Sequence, residues 1–220
     1  VADNHFIRIR DLNFSYQNGK TVFQGLNFSL QKKERIGLVG PNGAGKTTLF
    51  HLIMGLLKPS AGSIEIFGKV RKSEGDFSEV RQRIGLLFQN SDDQLFCPTV
   101  EEDIAFGPLN LGKTHSEAQV IVQEMCEKLG LRGYERRVTH RLSGGEKRRV
   151  ALATVMAMHP ECYLLDEPTA GLDDSATERF LKYLHEQTNT YVMITHNHDL
   201  LSKNIDRVFR LSDGQLKLIE

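Results

Sequence analysis

Short apolar runs and period-two alternation dominate the first ninety residues of the chain. Phe6, Ile7, Ile9 and Leu12, followed by Phe14 and Tyr16, read as a strand. Gln17-Asn18-Gly19-Lys20 supplies turn chemistry, and Thr21 to Leu30 reads as a second strand, so the chain is expected to open on an antiparallel pair. Arg35 to Val39 is a short buried strand, a glycine-rich turn follows, and from Thr47 to Leu57 the residues Leu49, Leu52, Ile53 and Leu56 recur at helical spacing. Lys58-Pro59-Ser60-Ala61-Gly62 breaks that helix, Ser63 to Phe67 alternates as another strand before Gly68, and Ile84 to Phe88 is an apolar strand ending at Gln89.

Beyond Asn90 the period changes. Val100 to Phe106 and Ser116 to Leu129 read as helices, the second with Val120, Ile121, Met125, Cys126 and Leu129 on one face, and a third helix begins near Ser143. Cys162 to Leu165 and Tyr191 to Ile194 are then short apolar strands separated by a helical segment from about Asp174 to Gln187, a β-α-β order that implies a parallel sheet. Arg207 to Ile219 closes as a hairpin turning at Ser212-Asp213-Gly214. The expected organisation is one α/β domain over 1–220, with a core of about 1–89 and 150–220, an antiparallel β subdomain at its start, a mixed and largely parallel sheet, and an inserted helical lobe of about 90–149.

Composition narrows the classes of partner. Lys plus Arg (28) balance Asp plus Glu (28), so no global field favours nucleic acid or an anionic membrane. No apolar run approaches the roughly 18 residues needed to cross a bilayer. Val1 to Arg10 mixes polar and apolar residues, and no secretory leader is expected there. Cys97, Cys126 and Cys162 are odd in number and contain no C-x-x-C pair, which argues against a disulfide framework or zinc ribbon and for a reducing cytosol.

Three segments carry chemistry. Gly40-Pro41-Asn42-Gly43-Ala44-Gly45-Lys46-Thr47 matches G-x-x-x-x-G-K-S/T between an expected strand and an expected helix. Small residues let backbone amides close on phosphates, the helix N-terminus adds positive potential, Lys46 can reach the β- and γ-phosphates, and the Thr47 hydroxyl can bind Mg²⁺. Cys162 to Glu167 is an apolar strand ending in two acids: Asp166 can be delivered rigidly towards Mg²⁺, and Glu167 can polarise an attacking water. Leu142-Ser143-Gly144-Gly145-Glu146 precedes a helical run from Lys147 to Met158, and physics alone leaves two readings open, an ordinary N-cap at Ser143 or a second phosphate clamp. The basic run Lys147-Arg148-Arg149 reads as a solvated helix face or as interface electrostatics.

The ordered set Tyr16, phosphate loop, Gln89, Leu142 to Glu146, Asp166-Glu167, Ala170-Gly171-Leu172-Asp173 and His196 strongly resembles the nucleotide-binding subunits of ATP-binding-cassette transporters, over essentially the whole chain. The resemblance implies a P-loop NTPase core and ATP with Mg²⁺ as cofactors. It implies catalytic roles for Glu167, His196 and Gln89, a metal set of Thr47, Gln89 and Asp166, and a nucleotide site of Tyr16, Asn42, Gly43, Ala44, Gly45, Lys46, Thr47 and Thr48. Tyr16 is expected to stack on adenine, and His196 to contact the γ-phosphate and orient Glu167. Ser143, Gly144 and Gly145 are expected to face the ATP held by a second protomer, with Asp173 in the loop crossing the dimer interface. On the segment alone a plain N-cap at Ser143 is the preferred of the two readings, and the resemblance reverses that preference. Glu146 departs from the family, where glutamine is more usual.

The stretch from Phe88 to Phe96, continuing through Pro98 to Pro108, looks like the energy-coupling-factor and cobalt or nickel importer branch. Leu95, Phe96 and Phe106 are then expected to dock an integral membrane coupling subunit beside a substrate-capture subunit, at the cytoplasmic face of the membrane, for import of a transition-metal ion or vitamin. Nucleic acid is not expected as a partner. His196-x-His198 lacks a third ligand and is not read as a metal site. The competing readings are a soluble cassette ATPase acting on nucleic acid or ribosomes, a non-hydrolysing regulatory subunit and, more weakly, a small-molecule kinase.

Overall fold

A computed structural model describes residues 5–219; Val1 to Asn4, part of the stretch read for a leader, lie outside them. In chain order the elements are β1 (His5–Ser15), β2 (Thr21–Gln31), β3 (Arg35–Val39), α1 (Lys46–Ile53), β4 (Ala61–Ile66), β5 (Lys69–Arg71), α2 (Glu74–Arg83), β6 (Ile84–Leu87), α3 (Val100–Asn110), α4 (His115–Lys128), α5 (Gly144–Met156), β7 (Cys162–Asp166), α6 (Asp174–Gln187), β8 (Tyr191–Ile194), α7 (His198–Asn204), β9 (Arg207–Ser212) and β10 (Gln215–Leu218). They form two compact units, one running up to Ile84 and resuming at Asn189, the other Gly85–Thr188.

The first unit holds an antiparallel sheet of order β2-β1-β4-β5. Strict alternation fails in β1 between Ile9 and Leu12, yet both are buried. A register shift lies between them and Asp11 takes φ 48°, so a bulge turns Leu12 back inward. In the second sheet of this unit β3 pairs in parallel with β8 and with β9, and β9 pairs antiparallel with β10. The phosphate loop therefore leaves the C-terminal end of a strand bonded on both sides.

Helix α1 ends at Ile53, earlier than its apolar spacing predicts. Gly55 at φ 68° stops it, and a Cβ there would meet the Phe77 ring at 2.3 Å. Phe77 belongs to α2, a helix the hydrophobic pattern does not announce because only Phe77 and Val80 of its residues are buried. Polar contacts hold it instead. The buried Arg71 guanidinium donates to the carbonyls of Ile66 and Asp76 and to the Glu79 carboxylate, and Ser73 with Asp76 forms a capping box at its start.

The second unit opens on β6, which neighbours β7, and is otherwise helical. Thr99 with Glu102, Thr114 with Glu117 and Ser143 with Glu146 start α3, α4 and α5 by the same reciprocal capping device. Helix α3 runs through Pro108 to Asn110, past the expected end at Phe106. The buried Asp103 accepts from the Phe96 and Cys97 amides and the Thr139 hydroxyl, which ties the preceding segment to α3. Every residue of β7 is buried, including Cys162. Among the described residues no helix is long and apolar enough to cross a membrane.

Candidate functional site: a phosphate loop and a paired-acid strand

The loop between β3 and α1 is built for an anion. Gly43 and Gly45 take φ 76° and 105°, which side-chain-bearing residues rarely adopt. A Cβ on Gly45 would lie 2.5 Å from Val22, so this glycine also lets the loop pack on β2. Among the described residues no side chain caps α1 and no acid stands in its first turn, which leaves its amide dipoles directed at the loop. Lys46 is 8% exposed, with its ammonium donating to the carbonyls of Gly40 at 2.7 Å and Pro41 at 3.0 Å. A phosphate entering the loop would draw that ammonium away from the carbonyls.

Asn42 and Gly43 are exposed at the loop tip, and Thr47 is half-buried at the second residue of α1. The Thr48 hydroxyl lies 2.8 Å from that of Tyr16, so the structure brings these two predicted residues together. Tyr16 presents an exposed ring beside the edge of Phe14, at 5.0 Å between centroids. His196, just past β8, is exposed on the rim of a cleft of about 640 Å³ that also involves Gly40, Pro41, Asp199 and Arg210.

The other predicted residues belong to the second unit. Asp166, 2% exposed, ends β7. Glu167 follows at φ 49°, a left-handed conformation that costs a non-glycine residue roughly 1 kcal/mol or more. The Ala170 amide donates to its carbonyl at 3.1 Å, turning the chain into Gly171 and Asp173, and Asp173 caps α6 by accepting from the Ala176 amide at 2.7 Å. Gln89 is exposed beyond β6.

Ser143 is an N-cap in this chain: its oxygen accepts from the Glu146 amide at 3.4 Å, while the Glu146 carboxylate accepts from the Ser143 amide at 2.7 Å and the Tyr134 hydroxyl at 2.8 Å. The hydrogen bond from the Ser143 amide is the main reason the Glu146 carboxyl falls to about 2. Gly144 is open to solvent, whereas a Cβ on Gly145 would stand 2.5 Å from the Gly171 carbonyl oxygen.

One expectation is overturned. Lys147 and Arg149 are half-buried, pairing with Asp92 and donating to the Gly130 carbonyl, but Arg148 is 3% exposed. Its guanidinium donates to the carbonyls of Phe88 (2.6 Å), Gln89 (3.3 Å), Glu167 (2.7 Å), Pro168 (3.3 Å) and Asp166. A solvated-face reading fails because Arg148 shares its stripe with Ala151, Leu152 and Val155, all buried at i+3, i+4 and i+7. The spacing alone does not single it out, since Arg149 stands in the same register to Leu152, Ala153 and Met156, also all buried. Burial lowers the guanidinium to about 10, against the charges of Asp166 and Glu167, which leaves it a cation near neutrality.

The model of the ABC transporter family matches residues 23–170. Over 214 residues, 96% of this chain and 69% of the relative, the sequence is 46% identical to the energy-coupling factor transporter ATP-binding protein EcfA of Methanothermobacter thermautotrophicus. It is 44% identical over 216 residues, 96% of this chain and 77% of the relative, to EcfA of Methanocaldococcus jannaschii. Among solved structures, cbiO1 from Clostridium perfringens, part of the ABC transporter complex cbiONQ, superposes with a TM-score of 0.82 at 34% identity over 98% of this chain and 88% of that one. An ATP-binding cassette in a dimeric post-hydrolysis state with ADP and Pi shares the fold at a TM-score of 0.88 and 23% identity, over 97% of this chain and 98% of that one. On the strength of the phosphate loop, the buried acid-ended strand and these matches, the chain belongs to the ABC transporter family and is an ATPase among its ATP-binding subunits.

Proposed function

We propose that this chain powers a membrane importer of the energy-coupling-factor type, working as one half of an ATP-sandwich dimer on the cytoplasmic face of the membrane. The observation that carries the reading is the glycine-lined start of α1, with no side-chain cap among the described residues and Lys46 turned into its own loop, in a chain whose buried β7 ends in Asp166 with Glu167 the next residue. The names of the relatives support the branch: energy-coupling factor for two of them, the cbiONQ complex for a third. Within that branch the cargo is a transition-metal ion, cobalt or nickel, or a vitamin, and this chain does not touch it.

Lys46 and the amides from Asn42 to Thr48 bind the phosphates, and Tyr16 stacks on the adenine. The donor set for Mg²⁺ is the Thr47 hydroxyl, the Gln89 amide oxygen and the Asp166 carboxylate; these hard oxygen ligands, only one of them charged, suit an ion that also takes phosphate oxygens and water. When bound, that ion would offset the charge on the phosphates. Glu167 accepts a proton from water as the water oxygen bonds to the γ-phosphorus, and the bond from that phosphorus to the β–γ bridging oxygen breaks to leave ADP and phosphate. His196 donates to a γ-phosphate oxygen and Gln89 orients the water. Ser143, Gly144 and Gly145 close on the ATP of a second ATPase protomer, either the same chain or a similar one.

The partners in the membrane are a coupling subunit and a substrate-capture subunit. The former seats on the groove of about 550 Å³ lined by Cys97, Pro98, Phe106, His115 and Val122, with Phe96 exposed beside it.

Steady-state hydrolysis and oligomeric state with Mg-ATP, compared between wild type and Glu167→Gln, test the reading. The wild type turns over, while the variant loses at least about 100-fold in kcat and accumulates an ATP-dependent dimer. Normal hydrolysis by the variant, or no dimer, would overturn it. Uptake of labelled cobalt or nickel against labelled vitamin by the assembled transporter decides the cargo.

A further inference from the structure

The fastening of α5 points beyond nucleotide hydrolysis at a single site. Arg148, one helical turn from Ser143, carries a buried charge that donates to five backbone carbonyls, from two segments far apart in sequence: Phe88 and Gln89 on one side, Asp166, Glu167 and Pro168 on the other. Burying a guanidinium merely to fill space is a poor route to stability, since an apolar side chain on the same stripe as Ala151, Leu152 and Val155 would cost no desolvation. What a guanidinium does that an apolar residue cannot is hold several oxygens in one plane at fixed angles.

The held oxygens are informative. One is the carbonyl of Glu167, whose left-handed backbone needs external support to persist, and the orientation of that backbone aims the carboxylate. Another is the carbonyl of Gln89, whose side chain remains exposed.

Two further contacts fasten the same frame. Gln94 accepts from the Phe88 amide and donates to the Ala151 carbonyl and Thr154 hydroxyl of α5. At the start of α5, Gly145 lies so close to the Gly171 carbonyl that no side chain fits between them. The clamp end of α5, the Gln89 segment and the turn carrying Glu167 therefore share direct bonds within one unit.

We infer that Arg148 is a positioning residue which locks the Gln89 segment, the Glu167 turn and the Ser143–Gly145 helix start into one body, so that a protomer's clamp on one nucleotide and its carboxylate acting on the other move together. This rests on the ATP-sandwich reading proposed above. Closing of Ser143 and Gly145 on the partner-held ATP shifts α5, and Arg148 carries that shift to the backbone beneath Glu167 and Gln89. Hydrolysis at one site thereby depends on occupancy of the other.

The experiment uses the intact chain with Mg-ATP and the variants Arg148→Lys and Arg148→Met. Affinity for a fluorescent ATP analogue stays within about twofold, because the phosphate loop is untouched, while kcat falls about 100-fold for Met and about 10-fold for Lys, which keeps the charge but offers at most three donors. The Hill coefficient for ATP falls towards one, and in a Glu167→Gln background the ATP-dependent dimer forms only at about tenfold higher ATP. Lower melting temperature with wild-type kcat per folded molecule in both variants overturns the inference and leaves Arg148 a packing residue. An inactive wild type, by contrast, overturns the ATPase reading itself. Should neither variant fold, hydrogen exchange of the wild type decides: amides in 88–91, 144–149 and 166–171 gain protection at one common ATP midpoint, and separate midpoints refute the coupling.

Discussion

The hydroxyl of Tyr134 donates to the carboxylate of Glu146 at 2.8 Å, at the start of the helix that Ser143 caps. With the Ser143 amide and Arg137 also directed at it, Glu146 stays ionised down to about 2. Its folded pKa lies below the roughly 4.3 of a free glutamate, so its stabilising contribution is complete above that value and is lost as pH falls through about 2. Glu146→Gln keeps an acceptor for the Ser143 amide but no charge. Thermal melts between pH 2 and 7 should therefore show the variant melting below wild type above about pH 5, with the gap closing towards pH 2. A gap independent of pH would show that the charge contributes nothing.

Tyr16 does two separable things. Its hydroxyl meets Thr48 at 2.8 Å, and its exposed ring is the proposed platform for adenine. Tyr16→Phe should lower stability by about 1 kcal/mol in chemical denaturation and leave ATP affinity within about twofold. Tyr16→Ala should weaken ATP binding about tenfold, the smaller end of what a base–aromatic stack contributes. Equal affinities for all three proteins would remove Tyr16 from the nucleotide site.

The adjacent glycines of the clamp segment differ in what surrounds them. A Cβ at Gly144 meets nothing within 4 Å, whereas one at Gly145 would stand 2.5 Å from the Gly171 carbonyl. Gly144→Ala should leave the melting temperature unchanged or raise it slightly, with about 0.5 kcal/mol from the reduced freedom of the unfolded chain. Gly145→Ala should lower stability by about 1 to 3 kcal/mol, and the melting temperature with it, because the obstacle is backbone rather than a flexible side chain. Identical melts would mean that the loop from Ala170 to Asp173 yields without cost.

Periodicity made some elements legible and left others invisible, for identifiable reasons. Helix α6 could be read because Ala176, Phe180, Tyr183 and Leu184 bury one face, and the loop from Gly40 to Thr47 could be read because phosphate chemistry fixes both its residue types and its spacing. Helix α2 could not, since Arg71 and a capping box hold it where apolar residues usually do. Arg148 was misread for a related reason. Three consecutive cations suggest solvent, and Arg149 stands to Leu152, Ala153 and Met156 as Arg148 does to Ala151, Leu152 and Val155, so spacing does not tell which of them is buried. The Ser143 segment is the middle case: its capping geometry was open to inference from sequence, while any role towards a second protomer depends on a chain this one meets only in an assembly.

Phe96 and Phe106 meet edge to face at 4.7 Å between ring centroids although they are 66% and 46% exposed. Such a pair held in water is costly unless something covers it, and Asp103 holds the Phe96 backbone rather than letting the segment fold over the rings. The proposed cover is the membrane coupling subunit, where buried aromatics are the residues most often worth 2 kcal/mol or more to binding. Phe96→Ser combined with Phe106→Ser should leave hydrolysis by the isolated chain within about twofold of wild type, since neither residue belongs to the proposed hydrolytic set. In cells carrying the whole transporter, the same double variant should be recovered with the membrane fraction at about a tenth of the wild-type level. If instead the variant stays on the membrane and loses hydrolysis, the aromatic pair serves the hydrolytic unit and the coupling subunit seats elsewhere.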